Sequence, residues 1–434
     1  MNTIRNRFFA IEQIPFFFDL LKWLALALLI GVLAGSASAF FLSSLQWITQ
    51  WREANLWVII FLPLGGLLIG LSYHYWGSSV VKGNNLLLEE FHSPKQIIPF
   101  RMAPLVLFGT LLTHAVGGSA GREGTAVQMG GAIADQFTKI FHLKNRDRKM
   151  LLIMGISAGF ASVFGTPLAG AVFALEVLVL GRMRYEALLP SLLAALVADY
   201  TCHAWAVEHT TYAIAWVPAM RPELFLWTLL AGILFGLAAW LFSQSVHFWS
   251  RTFTRSISYP PLRPVLGGAL LALVFWTTDS SRYMGLGIPT IVEAFSQPLA
   301  EWTFLLKTLF TSFTLGAGFK GGEVTPLFFV GATLGNALHG FIPLPLALLA
   351  GMGFVAVFSG ATNTPIACTL MSIELFGAES AVYMALACVL AYLFSGHTGI
   401  YHAQQIGSPK HGLYSRLSKR SLKDLSKPSE KKDS

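Results

Sequence analysis

Apolar residues run along this chain in long, nearly unbroken stretches, without the one-sided or alternating patterns of a soluble fold. Leu56–Trp76 is one such stretch, Leu151–Leu180 holds Glu176 as its only charge, and Val324–Ile373 contains no Asp, Glu, Lys or Arg. Stretches of that length match the hydrocarbon thickness of a bilayer. Many are broken by glycine and proline, as in FLPLGGLLIG, VFGTPLAGAVF, GFIPLPLALLAG and SGATNTPIAC. Inside a membrane such breaks survive only where neighbouring protein or a water-filled cavity satisfies the freed backbone groups. The pattern therefore predicts an all-α polytopic membrane protein with many tilted, partly discontinuous helices and re-entrant segments.

Composition agrees, because 54% hydrophobic and 12% charged residues with a mean hydropathy of +0.60 are too apolar for a soluble globular domain. The net charge of +8 gathers in Arg416–Ser434 and in the KNRDRK run at Lys144–Lys149. Both segments are expected on the cytoplasmic side by the positive-inside rule, which gives an inner (plasma) membrane protein with both termini cytoplasmic and an even number of crossings. Basic residues that flank spans form no folded basic domain, so nucleic acid is not an expected partner. Met1–Leu20 carries Arg5, Arg7, Glu12 and Asp19 and lacks the layout of a removable signal peptide. The expected organisation is a cytoplasmic arm at 1–19, a transmembrane domain at 20–405 and a basic tail at 406–434, with no C-terminal regulatory domain. Cys202, Cys368 and Cys388 form no close-spaced motif, there is no HExxH, and neither a metal nor an organic cofactor is expected.

The chain echoes itself. TPLAGAVFALEV at Thr166–Val177 parallels TPIACTLMSIEL at Thr364–Leu375, and GREGTAVQMGGA parallels GGEVTPLFFVGA, with Gly121 matching either Gly321 or Gly322. The same order of motifs occurring twice predicts a two-repeat transporter with halves near 20–216 and 221–405. Sequence leaves open whether the repeats are inverted or parallel. Glu176 and Glu374 recur at matched places and are read as serving helix ends or packing.

The chemistry concentrates at two glutamates in glycine-rich, apolar surroundings, Glu123 in GGSAGREGTAVQMGG and Glu323 in GFKGGEVTPLFFVG. An ionisable group at membrane depth is costly and usually faces a pathway; the competing reading is that each simply caps a helix. An anion crossing a bilayer must exchange water for other donors, and unsatisfied backbone N–H groups at helix N-termini supply them where glycine lets the ion approach. Gly83–Leu88, Gly121–Thr125 and Gly321–Pro326 fit such loop-to-helix starts. As a carboxylate Glu123 can occupy an anion site itself, and protonation removes that competition, which couples two fluxes. Gly117–Gly121 formally matches the G-x-S-x-G hydrolase pattern around Ser119, but no strand is predicted before it, so an enzyme is not expected. Asp199 and His114 are further ionisable candidates for a pathway, and His397 and His402 flank Tyr401 as loop or interface residues.

Here the residues reach a family. GREGTAVQMGG resembles the gating-glutamate motif of the CLC anion channels and antiporters, GGEVTP their second-half anion motif and GNNLL their first anion-site loop. Tyr401 falls where a late tyrosine lines the site, and the resemblance covers residues 20–405. It implies an inverted-repeat fold, a homodimer with one anion pathway per subunit, and gating or proton transfer at Glu123 and Glu323. The anion-binding residues it implies are Gly83, Asn84 and Asn85, then Gly121, Arg122, Gly124 and Thr125, then Gly322, Val324 and Thr325, with Tyr401. Chloride-selective members usually carry serine where this chain has Asn84, proline where it has Thr125, and a GxFxP pattern where it has Glu323, Val324 and Thr325. Chloride/proton exchangers usually carry an inner proton glutamate, which aligns with Val177. These departures resemble the fluoride-exporting branch, so the expected function is fluoride export coupled to proton import. Chloride/proton antiport and a passive voltage-gated-type chloride channel are the alternatives. Fluoride is small and strongly hydrated, and the Asn84 amide and Thr325 hydroxyl are compact donors suited to it.

Overall fold

Proline and glycine set the helix boundaries that a hydropathy profile blurs. Pro167, Pro222 and Pro365 each stand at the first position of a helix, where a missing N–H costs nothing. Gly165 and Gly318 end helices in the left-handed conformation. The computed structural model describes residues 13–278, 280–418 and 420–425; most of the expected N-terminal arm and the last residues of the tail lie outside them.

The first half consists of α1 (Gln13–Ala54), α2 (Leu62–Tyr75), α3 (Asn84–His92), α4 (Met102–Ala115), α5 (Glu123–Ile140), α6 (Asn145–Phe164), α7 (Pro167–Glu176) and α8 (Leu188–Ala204). The second consists of α9 (Pro222–Ser256), α10 (Leu262–Thr278), α11 (Ile288–Ala294), α12 (Thr303–Ala317), α13 (Val324–Leu338), α14 (Leu346–Thr362), α15 (Pro365–Phe376) and α16 (Ala381–Phe394). At 42 and 35 residues, α1 and α9 are far longer than a perpendicular crossing needs and are read as tilted. Many of the remainder, among them α3, α7 and α15, are too short to cross alone. This is the interrupted-helix membrane fold that the broken apolar stretches predict.

The halves exchange equivalent contacts. Gly121 and Gly322 pair as an isolated antiparallel bridge, with N–H to carbonyl distances of 2.6 and 2.8 Å. Equally far along their helices, Gly130 of α5 lies against Gly155 of α6 and Gly331 of α13 against Gly353 of α14, each where an added Cβ would strike the partner backbone. Close backbone crossings through small residues are how helices associate where apolar lipid gives no hydrophobic drive. Glu374 at the end of α15 accepts from the Leu168 and Ala169 N–H groups that open α7, both at 2.8 Å. Reciprocally, Glu176 at the end of α7 accepts from Ile366 and Ala367 at the start of α15, at 3.2 and 2.9 Å. Each half thus caps the orphan donors of the other, which is the physical content of the two recurrent glutamates. The antiparallel bridge and the swapped caps relate the two halves by a pseudo-two-fold axis.

The pairing also resolves the register: Gly121 corresponds to Gly322, which sets Glu323 opposite Arg122 and Val324 opposite Glu123. The two glutamates are neighbours in space without being equivalents in the repeat.

At the face carrying the KNRDRK loop, Arg148 is buried, although the run reads as a solvated basic turn. Its guanidinium holds Asp135 through two contacts of 2.7 Å and Glu90 at 3.1 Å, tying α6 to α5 and α3. Removing one member of a buried network leaves uncompensated charge, so Arg148→Ala should lose about 3–5 kcal/mol of stability. Thermal unfolding in detergent would show a sharply lower midpoint than for Lys149→Ala.

Beyond α16 the chain returns to the domain. Residues Gln405–Ile406 (β2) pair in parallel with Val179–Leu180 (β1), and Leu422, in the short α17 (Leu422–Leu425), packs with Leu180 and Ile406. The described part of the basic tail is therefore docked rather than free.

Candidate functional site

Two helix N-termini face each other where the glycine turns meet. The turns approach so closely that a Cβ on Gly121 would lie 2.8 Å from Pro326 and 2.9 Å from the Gly322 carbonyl. Glycine is required there to let the two chains cross. The bridge leaves Glu123 as the first residue of α5 and Glu323 as the N-cap of α13.

The Glu123 side chain does not turn back on its own helix. It crosses to the other half, where Oε2 accepts from the Thr325 N–H at 3.0 Å and Oε1 accepts from the Thr325 hydroxyl. Oε2 also accepts from the Arg122 N–H at 3.1 Å, and the Arg122 guanidinium stands 3.7 Å from Oε1. At 1% exposure the carboxylate is sealed from solvent. Thr325 is the second residue of α13, so the carboxylate sits on the orphan donors and positive dipole end of that helix. The helix-cap reading of Glu123 holds with a change of partner: the helix it caps belongs to the opposite half.

On one side of this contact a cavity of about 210 Å³ opens, lined by Asn84, Gln128, Lys320, Glu323 and Tyr401 among others. Gly83, at φ +57°, turns the chain so that α3 starts with Asn84 at the cavity wall; a side-chain-bearing residue would be strained in that conformation and would press on Gln128. Asn84 Oδ1 is buried without a partner. A methyl placed on Gly124 would lie 2.9 Å from Asn84 Nδ2 and 3.9 Å from Glu323 Oε2. The bare Gly124 backbone thus lets the Asn84 amide and the Gly322 backbone approach closely, with the Glu323 carboxylate just beyond. Tyr401 is held there by its loop: the Ala403 N–H donates to Asn85 Oδ1 at 2.9 Å, and the Gln404 amide donates to the Val177 and Thr362 carbonyls.

Glu123, Thr325, Arg122, Gly121 and Gly322 therefore come together at the helix junction, and Gly83, Asn84, Gly124, Glu323 and Tyr401 gather at the cavity. Two of the expected anion residues have side-chain oxygens committed to protein partners, although Asn85 also lines the cavity. Asn85 spends its side-chain oxygen fastening the Tyr401 loop, and the fully buried Thr125 hydroxyl bonds Thr110 at 2.7 Å. Val324 is buried as the first residue of α13. Val177 is buried next to Glu176, whose carboxylate is committed to capping α15. Ser119 bonds Thr311 at 2.9 Å in a buried position, and the His114 ring bonds the Thr110 and Ala120 carbonyls. His402 lines the cavity with its ring 3.8 Å from that of His247, whereas His397 accepts from the Lys410 N–H. Sequence reasoning missed Gln128 and Lys320, whose Nζ lies 4.2 Å above the Tyr73 ring. A lysine just before GGEVTP at membrane depth was the available signal for the second.

A family model described as voltage gated chloride channel matches residues 65–396, and the chain belongs to the CLC family of anion channels and antiporters. It is 55% identical over 410 residues, covering 92% of this chain and 90% of the other, to a chloride/fluoride channel protein of Pseudomonas syringae pv. tomato. The crystal structure of a CLC-type fluoride/proton antiporter superposes with a TM-score of 0.87 at 36% identity, covering 90% of this chain and 99% of that one. A slow cyanobacterial Cl−/H+ antiporter superposes at 0.75 with 20% identity, over 86% and 94% of the two chains, and shares the fold. The chain is thus an integral membrane protein of an anion-transporting family.

Proposed function

We propose that this protein exports fluoride in exchange for protons, with Glu123 as the gate and Glu323 as a second carboxylate facing the anion. The observation that carries the reading is the Glu123 carboxylate seated on the α13 N-terminus, bonded to the Thr325 N–H at 3.0 Å. A carboxylate in an anion's place excludes the anion until a proton removes its charge, so anion and proton move alternately. Proton exchange also needs a titratable group toward the other side. Val177 supplies none, whereas Glu323 lines the cavity.

Fluoride is favoured over chloride because the Asn84 amide at the cavity wall and the Thr325 hydroxyl at the α13 N-terminus are compact donors, and because the relatives with the higher identities bear fluoride in their names. The name channel borne by one of those relatives keeps passive anion conduction as the second reading. Chloride/proton exchange differs from the proposal only in the ion. On this reading the cavity side faces the cytoplasm of the inner (plasma) membrane, which the positive-inside rule supports, and the working unit is a homodimer with one pathway per subunit. No metal or organic cofactor takes part.

Flux of fluoride and chloride from proteoliposomes, recorded with simultaneous internal pH, tests the reading. Exchange gives proton uptake that keeps step with fluoride release and a reversal potential that moves with the proton gradient. A channel gives fluoride release indifferent to that gradient. Glu323→Ala should fold as the parent does and slow coupled exchange about tenfold or more, the scale on which a lost proton-transfer group is felt. Unaltered exchange across the pH range would reduce Glu323 to a helix cap.

A further inference from the structure

We propose that His203, Asp199 and His209 form a proton-access chain linking solvent to the Glu123 carboxylate on the face opposite the KNRDRK loop. The proposal rests on the proton exchange argued above and names the route by which the proton arrives.

At 1% exposure, Glu123 cannot meet bulk water directly. On the side away from the large cavity, a space of about 20 Å³ is bounded by Glu123, Arg122, His209, Thr210 and Tyr212. That volume holds a single water. Both ring nitrogens of His209 are buried without a hydrogen-bond partner, and so is Asp199 Oδ1. Unpaired buried polar atoms are rare in folded proteins, and groups that take turns carrying a proton are one reason for them. His209 Nε2 lies 4.0 Å from Asp199 Oδ1, and His203 Nδ1, hydrogen-bonded to the Asp199 carbonyl at 3.0 Å, lies 3.6 Å from the same carboxylate oxygen. Side-chain exposure falls from 59% at His203 to 14% at Asp199 and 13% at His209, and then to the sealed gate. That gradient runs from solvent to site.

The position of each group is built in. α8 begins beside the basic loop, where Glu186 pairs with Arg146 at 3.3 Å, and its length of ~25 Å carries Asp199 and His203 to the far face. The His209 ring packs on Gly165, where φ is +69° and an added Cβ would lie 2.8 Å from the ring. Burial, and then the Arg122 guanidinium, press the His209 imidazole down to about 4. It is therefore neutral between transfers and passes a proton without storing it. The other groups facing the chain are Glu123 and Arg122 at the gate, Tyr212 on the His209 loop, and Glu374 of α15 beside Asp199. In one transfer Asp199 gives its proton to one ring nitrogen of His209, the other ring nitrogen releases its own to the bridging water, and that water protonates Glu123. His203 then reprotonates Asp199, and the His209 tautomer resets.

The test is fluoride-driven proton uptake by purified protein in proteoliposomes against outside pH, for the parent, Asp199→Asn, His209→Gly and His203→Gln. Asp199→Asn and His209→Gly should slow coupled exchange by about tenfold or more near neutral pH, with the fluoride-to-proton ratio unchanged. Their rate should recover only at more acidic outside pH. Added imidazole should restore His209→Gly, which a packing defect would not permit. His203→Gln, at the surface, should show a smaller loss that disappears at high buffer concentration. Parent-like rates and pH profiles in all three variants would overturn the chain, as would slow rates that neither acid nor imidazole relieves. If the parent itself moves no protons, it is the exchange reading that fails.

Discussion

Reconstituted Glu123→Gln protein should release fluoride without taking up protons, with coupled proton flux falling about a hundredfold or more, to the level of empty liposomes. Glutamine keeps the length and shape of the side chain, so it can still reach the α13 N-terminus and accept there from Thr325, which donates to the native carboxylate at 3.0 Å. What it loses is charge and titration. As the proposed gate, the native carboxylate would compete with an anion for the orphan donors of α13 and yield when protonated; a neutral amide neither competes to the same degree nor exchanges a proton. Arg122, 3.7 Å from the carboxylate, would lose its counter-charge in this variant and become free to attract the permeant ion. Anion flux should consequently become indifferent to outside pH. The measurement is internal pH recorded during fluoride-driven flux, with protein orientation matched to the parent. Proton uptake that still follows fluoride in this variant would remove Glu123 from the gate.

The chemistry of the site was legible because it is written locally. A glycine turn, a glutamate and an apolar helix occupy a dozen consecutive residues, and the physics of helix N-termini says what such a turn can bind. The helix ends at Pro167 and Pro365 and the capping roles of Glu176 and Glu374 were legible for the same reason. What stayed hidden depends on which turn meets which. The two glycine motifs fit each other in either of two registers, and only the bridge from Gly121 to Gly322 sets Glu323 against Arg122 instead of Glu123. Asn84 and Asn85 are adjacent and chemically identical, yet the side-chain oxygen of one is left unpaired while that of the other fastens the Tyr401 loop. No pattern in GNNLL distinguishes them. Arg148 belongs to a run that looks solvated, and its burial comes from Asp135 and Glu90 on two other helices. His209 carries no motif at all. Its ring packs on Gly165, far away in sequence, and the irregular loop that brings it near Asp199 follows no readable pattern.

Asn84→Ser should erode preference for fluoride over chloride by about tenfold, a change of ~1.4 kcal/mol, which is about the worth of one well-placed hydrogen bond. The Asn84 amide is placed to make that bond: it stands at the cavity wall with its Oδ1 unpaired. A small anion in the cavity would therefore meet the amide directly. Fluoride holds its water more strongly than chloride, so each donor removed from the wall costs fluoride more. Serine is shorter, and the resemblance to chloride carriers places serine at this position. Its hydroxyl would leave a gap that suits the larger, less hydrated ion. Gly124→Ala offers the complementary change, because the added methyl would press on the Asn84 amide and the Gly322 backbone and should lower the flux of both halides together. Parallel fluoride and chloride release from liposomes containing each variant separates the two effects. A fluoride preference unchanged by Asn84→Ser would move selectivity away from the cavity and onto the Thr325 donors at the α13 N-terminus.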